Sequence, residues 1–206
     1  MFESAEVGRK ISKKEFERRL PNVRSRLVQT EFELTGTNSP VIIIVSGVDG
    51  AGKGDVVHRL SEWLDPRGVN VSAFWHDTEA GREHPPYWDF WQALPPRGRI
   101  GILFGSWYTE PVIQRVYGQI KDPAFDAALQ RIASFEEMLA HDGALIIKLW
   151  FHLSKNNLHG RLSRLKKDPD THWRVLPTDW AHHKLYDKIV RVSERALRAT
   201  DCPHAP

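Results

Sequence analysis

The chain has almost no sulfur chemistry to draw on. It holds one cysteine, Cys202, close to the C-terminus, and two methionines. No intramolecular disulfide can form, and a reducing compartment is the natural setting. Long hydrophobic runs are also missing. The opening MFESAEVGRK carries no apolar signal core, and the stretch Ala144–Phe151 is interrupted by Lys148, well short of the ~20 residues that a membrane span needs. These absences lead us to expect a soluble, cytoplasmic protein with no membrane partner. No internal repeat or low-complexity segment occurs. Charge of one sign is scarce too: 29 Lys and Arg stand against 26 Asp and Glu, for a net +3. A pI near 9.0 favours polyanions mildly. The basic residues are interspersed with acids and no nucleic-acid motif appears, so nucleic acid is not an expected partner. What is present suits one domain of ordinary size, with 41% hydrophobic residues over 206 positions. Eight tryptophans could stack on bases, although packing in the core accounts for most such residues.

The most informative stretch is Val41–Val56, VIIIVSGVDGAGKGDV. Its unbroken apolar start reads as a strand buried on both faces. It feeds into Gly47-Val-Asp-Gly-Ala-Gly-Lys53, a G-x-x-x-x-G-K phosphate loop (P-loop) followed by a helix start. Glycines there let successive backbone N–H groups curl round an anion, and the helix N-terminus adds partial positive charge. Gly47, Gly50, Ala51, Gly52 and Gly54 are therefore candidate phosphate-cradling positions, and Lys53 is a point charge for the same phosphates. Two features are unusual. Gly54 stands where a Ser or Thr hydroxyl commonly holds Mg²⁺, and Asp49 lies inside the loop, where it could take over metal binding.

Around this stretch the pattern alternates. Ser12-Lys-Lys-Glu15 is a capping box ahead of an apolar-periodic helix with a possible break at Pro21. A helix is predicted from about Lys53 to Leu64, then an extended segment Val69–Trp75 and a charged loop 76–83. Pro85-Pro86 begins an aromatic helix with Tyr87, Trp88, Phe90 and Trp91. Strands at Arg99–Phe104 and Ala144–Phe151 bracket helices that begin near Thr109 and span Pro123–Ala140. Ser154 caps a basic helix to about Lys167, and one last helix is predicted from Thr178 to about Ala199. This order argues for a parallel sheet covered on both sides, with the ligand at the C-terminal strand ends. His182 and His183, adjacent on a helix, cannot share a metal and are expected to be exposed. Trp107 and Tyr108 either shape the cleft or pack beneath the glycine loop.

With GVDGAGKG at 47–54, LPPRGRIGI at 94–102, SWY at 106–108, FEEMLAHDGALIIKLWFHLSK at 135–155, and the segment from Asp168 through Trp173-Arg174 to Asp179, the chain resembles the polyphosphate kinase 2 family from about Ser12 onward. The resemblance implies an α/β fold: a P-loop NTPase-like three-layer αβα sandwich with a mostly parallel sheet and a helical lid. It implies a helical extension over 1–40 and a kinase-like domain over 41–206 that ends before the family's last strand and helix, leaving a sheet edge uncovered. It also implies phosphoryl transfer between inorganic polyphosphate and a nucleotide mono- or diphosphate, with Mg²⁺. Asp49 and Lys53 take the catalytic positions, Asp49 also as metal ligand. Arg161, Arg164 and Lys167 would contact phosphate from the lid. Read alone, that basic spacing equally suits a solvated helix face. Arg82 and Glu83 are placed near the nucleotide.

The resemblance breaks at one place. Active members carry an acid and an arginine, or Asn-Arg, directly before Ser-Trp-Tyr, whereas this chain has Phe104-Gly105. A phenyl ring cannot bind Mg²⁺, and glycine cannot supply a guanidinium. Such a stretch looks like the N-terminal half of tandem polyphosphate:AMP phosphotransferases. Two readings follow: a phosphotransferase weakened at its second acidic motif, or a catalytically silent module that binds polyphosphate or pairs with an active module. Assembly into a homo-oligomer, or with a second family module, is expected. An ATP-using nucleoside or nucleotide kinase is disfavoured by the absent Ser/Thr after Lys53.

Overall fold

The computed structural model describes residues 1–8, 10–74, 83–203 and 205. Four parallel strands, β1 (Val41–Gly47), β2 (Val69–Ala73), β3 (Ile100–Phe104) and β4 (Leu145–Phe151), form one sheet in the order β2-β3-β1-β4. The register is continuous: Val41 sits beside both Ile100 and Leu145, and Val45 beside Phe104 and Leu149. β1 is central, and so its apolar run is covered on both faces, as its lack of alternation predicts. The predicted second strand is shorter, although the Phe74 amide still donates to the Phe104 carbonyl at 2.9 Å. Trp75 lies outside the described residues.

Alternate residues of each strand go to opposite layers. Ile42, Ile44, Leu103 and Ile146 pack with α4 (Thr109–Tyr117), α5 (Asp122–His141) and α8 (Tyr186–Thr200). Val41, Val45, Ile100 and Ile102 pack with α1 (Lys13–Leu34) and α2 (Lys53–Trp63). This is the expected three-layer αβα arrangement. Glu31 of α1 is buried and accepts from the Asp65 amide at 2.8 Å, so α1 grips the turn that follows α2.

Pro21 does not break α1, which runs unbroken for 22 residues. The prolyl nitrogen omits only the bond to the Glu17 carbonyl, and because this stretch of α1 faces water that carbonyl is solvated. The predicted aromatic helix is the six-residue α3 (Trp88–Ala93), begun by Tyr87 in the left-handed region at φ 70°. The single last helix proves to be two, α7 (Pro177–Lys184) and α8, parted at Leu185. The break lets α7 turn over the P-loop while α8 stays on the sheet.

A third apolar cluster joins Val48 of the loop to Leu158 and Leu162 of α6 (Lys155–Lys167), with Val175 and Tyr186. Ser154 caps α6 by accepting from the Asn157 amide at 3.4 Å. Together with the turn His172–Arg174, α6 and α7 form the expected helical lid. Among the described residues, no helix is long and apolar enough to cross a membrane.

Candidate functional site

The P-loop leaves the C-terminal end of β1 at Gly47, where the backbone passes hard against β4. A Cβ there would lie 2.1 Å from the Phe151 carbonyl oxygen, at φ +132°. Only glycine permits that approach. The chain then turns through Asp49 and Gly50 and enters α2 at Lys53, with Gly52 left-handed at the helix start. Among the described residues, the amides of Gly50, Gly52, Lys53 and Gly54 donate to no protein acceptor. They are the open donors of a helix N-terminus preceded by a turn, the arrangement that binds anions.

Lys53 does not point into solvent. Its Nζ donates to the Gly47 carbonyl at 2.7 Å and to Asp49 Oδ1 at 2.8 Å. The other Asp49 oxygen accepts from His182 Nδ1 at 2.5 Å, across 133 positions of chain. Burial pushes the Asp49 carboxyl up, but the hydrogen bonds from His182 and Lys53 outweigh it and hold the group well below the usual carboxylate range. The expectation that His182 is exposed is overturned: its side chain is 16% exposed, and His183 is half-buried with Nε2 at 3.3 Å from the Lys155 carbonyl. Adjacency on a helix rules out a shared metal but not burial, because α7 lies in the crease between the loop and α6. Asp179, also on α7, accepts from the Leu176 amide at 2.7 Å. Burial raises its carboxyl, and the nearby Asp49 charge adds to the rise.

The lid residues separate. Arg161 Nη2 reaches Asp55 Oδ2 at 2.6 Å, and Arg174 Nη2 reaches Asp55 Oδ1 at the same distance. Asp55 stands in the first turn of α2, so Arg161 meets the loop's helix. Arg164 and Lys167 are exposed further along α6. Spacing of three residues turns each successive side chain by about 60° on an α-helix, so Lys167 faces about 120° away from Arg161 and the three do not form one face. Glu83 is exposed, outside the loop. Arg82 lies outside the described residues. Sequence reasoning missed Asp55, Arg174, Asp179 and His182. Asp55 was legible as an acid in the first helical turn after the loop, and the others come near it only through the lid.

At the end of β3, the Phe104 ring approaches the position a Cβ on Gly54 would take, to 3.9 Å. An apolar ring thus underlies the loop where the second acid is expected. Gly105 has φ +80°, and a Cβ there would meet the Phe74 carbonyl oxygen at 2.3 Å. The backbone as folded has no room for an arginine at that position. Ser106 follows, its Oγ 3.3 Å from Ser46 Oγ at the tip of β1. Ser106 also lines a cavity of about 860 Å³ walled by Phe74, Tyr87, Trp88, Phe90 and Trp107 and reached by Arg131. Trp107 and Tyr108 both donate to the buried Glu136, at 2.9 and 2.7 Å, and Lys148 binds its other oxygen at 3.1 Å. Tyr108 is therefore a core residue under α5, while Trp107 serves both core and cavity wall.

Comparison with known proteins bears on this geometry. The Polyphosphate kinase 2 (PPK2) family profile matches residues 10–206. A Pseudomonas aeruginosa polyphosphate:AMP phosphotransferase is 45% identical over 207 residues, 100% of this chain and 42% of the relative. An ADP-polyphosphate phosphotransferase of the same organism is 28% identical over 99% of this chain and 67% of its own length. The crystal structure of Polyphosphate Kinase 2 from Arthrobacter aurescens TC1 superposes with a TM-score of 0.91 at 26% identity, covering 97% of this chain and 72% of that one. The chain spans less than half the length of the polyphosphate:AMP phosphotransferase it matches. A profile that fits all but the first nine residues, on a sheet and loop arranged as described, establishes that the chain belongs to the polyphosphate kinase 2 family.

Proposed function

We propose that this chain is a phosphotransferase module that seats inorganic polyphosphate on its P-loop and transfers phosphoryl groups between it and a nucleotide, AMP or ADP. The observation that carries this reading is the set of amides of Gly50, Gly52, Lys53 and Gly54 that, among the described residues, donate to no protein acceptor, with the Lys53 ammonium turned into the same loop. In-line phosphoryl transfer needs no covalent protein intermediate, so this chain's work is positioning and charge neutralisation. Lys53 and the amides hold the phosphate; Arg161 closes on it from the lid, and Arg164 and Lys167 extend the basic approach. The nucleotide lies in the aromatic cavity beside Ser106, its phosphates toward the loop, and Arg82 and Glu83 are retained as nucleotide contacts on the resemblance alone. The aromatic walls suit a base's π face.

Asp49 tests the fit of Mg²⁺. The ion takes oxygen ligands in octahedral geometry, commonly one or two carboxylates together with substrate phosphates and water. Asp49 offers one carboxylate, whose two oxygens also meet Lys53 and His182. As an oxygen donor beside the loop it fits such an ion, which would neutralise charge on the transferring phosphoryl group. The chain is read as one module of a two-module protein in the cytoplasm, paired with a second module or copy. A specific observation favours a second reading, the silent polyphosphate-binding module: Phe104 occupies the place of the second acid, and loss of one transition-state contact commonly costs about 10²–10³ in rate. One experiment tests both. Polyphosphate binding and Mg²⁺-dependent phosphorylation of AMP, ADP and GDP are measured separately on the purified chain and on Lys53→Ala. Turnover abolished by Lys53→Ala supports the enzyme, binding without turnover supports the silent module, and no binding overturns both.

A further inference from the structure

The two guanidiniums that the lid brings to the P-loop helix are both held by one carboxylate of this same chain. Asp55 bridges them, Oδ2 to Arg161 and Oδ1 to Arg174, each at 2.6 Å. The arginines come from different elements, α6 and the turn His172–Arg174, and converge only at this point. Asp55 itself stands in the first turn of α2, beside amides that, among the described residues, have no acceptor. A two-oxygen anion spanning two guanidiniums at a helix N-terminus has the charge, the acceptor geometry and the position of a phosphoryl group. The arrangement is also incompletely satisfied. Arg161 Nε is buried and, among the described residues, has no hydrogen-bond partner, because a carboxylate shared between two arginines gives each of them one short bond. A phosphoryl oxygen set, with more acceptors, could take that spare donor as well.

We propose that Asp55 is an internal stand-in for phosphate: it latches the lid to the loop through Arg161 and Arg174, and an entering polyphosphate chain takes both guanidiniums from it. The assignment rests on the reading of the P-loop as a phosphate seat and adds a competitor built into that seat. Asp55 then sets the affinity for polyphosphate downward, and the lid is shut by its own residue until substrate arrives. Removing the carboxylate while keeping a polar first turn frees the arginines for the ligand. Because each ion pair is partly exposed, its worth is modest, and the expected gain in polyphosphate affinity is about 3- to 10-fold.

The test compares the wild-type chain with Asp55→Asn and Asp55→Ser, the second guarding against a folding defect specific to the first. Two readouts are taken: hydrogen exchange of backbone amides over residues 161–175 without ligand, and calorimetric binding of inorganic polyphosphate at several salt concentrations. The expected result is faster exchange in that segment, tighter binding, and a steeper salt dependence by about one released counterion. Unchanged exchange, or unchanged or weaker binding beside a wild type that binds in a Lys53-dependent way, overturns the latch and leaves the phosphate seat standing. If neither protein binds polyphosphate, the phosphate seat fails and the stand-in fails with it, even where exchange rises.

Discussion

Gly105→Ala isolates the reason position 105 is held by glycine where the resemblance led to an expected arginine. The substitution adds one carbon. At φ +80° an L-residue costs about 1–2 kcal/mol relative to glycine. The new Cβ would also lie 2.3 Å from the Phe74 carbonyl oxygen, against an ordinary carbon–oxygen contact of about 3.3 Å or more. Roughly 1 Å of backbone movement is therefore required. Neither partner moves freely: the Phe74 amide donates to the Phe104 carbonyl at 2.9 Å, and the Gly105 amide to the Val45 carbonyl at 3.3 Å. Weakening one such bond adds about 1 kcal/mol, for a sum of about 2–3 kcal/mol. In a chain of this size that lowers Tm by roughly 4–12 °C, measured by thermal unfolding with a matching shift in the urea midpoint. Gly105→Arg carries the same penalty before its guanidinium does anything. Introducing the expected acid–arginine pair together should thus unfold the chain more readily than it adds chemistry. Phe104→Asp alone keeps the glycine, places a carboxylate beneath Gly54, and should raise Mg²⁺-dependent nucleotide phosphorylation. A Gly105→Ala protein that melts within about 2 °C of wild type would refute the steric argument.

Lys53→Ala should weaken polyphosphate binding about 10- to 100-fold, the worth of a charge-assisted phosphate contact, as measured by calorimetry; unchanged binding would remove the loop from the ligand site. Glu136→Ala leaves the Lys148 ammonium buried without its carboxylate and should cost roughly 3–5 kcal/mol in denaturant unfolding, whereas a loss below about 1 kcal/mol would mean that the network is dispensable. Asp49 links stability to acid pH: its carboxyl is held below the ordinary 3.8 in the folded chain, so its contribution is fully present above about pH 4 and is lost as the pH falls through the depressed value. His182→Ala removes a main cause of that depression, and the difference in unfolding free energy between pH 6 and pH 3 should shrink; an equal difference in both proteins would contradict the Asp49–His182 bond.

Much of the core was readable from local pattern. An apolar run that does not alternate and runs into a glycine turn reads as a strand covered on both faces, so β1 was legible in VIIIV, although its central place in the sheet was not, and glycines before a helix start pointed to the proposed anion seat. Secondary elements failed where tertiary contacts outrank propensity. Pro21 stays helical because solvent satisfies the carbonyl it leaves open, and the last helix bends at Leu185 because α7 has a different surface to cover.

Residue type and short-range spacing by themselves determined which atoms could bind a phosphate, since the loop's donors are backbone groups and one lysine within eight positions. They could not determine what those atoms face. His182 meets Asp49, and Arg161 and Arg174 meet Asp55, across more than 100 residues, distances over which no periodicity carries information. Only the packing of α6 and α7 onto the loop joins them. Likewise, Phe104 and Gly105 are legible as departures, but the closeness of the Phe74 carbonyl, which keeps the second of them glycine, exists only once β2 and β3 lie side by side.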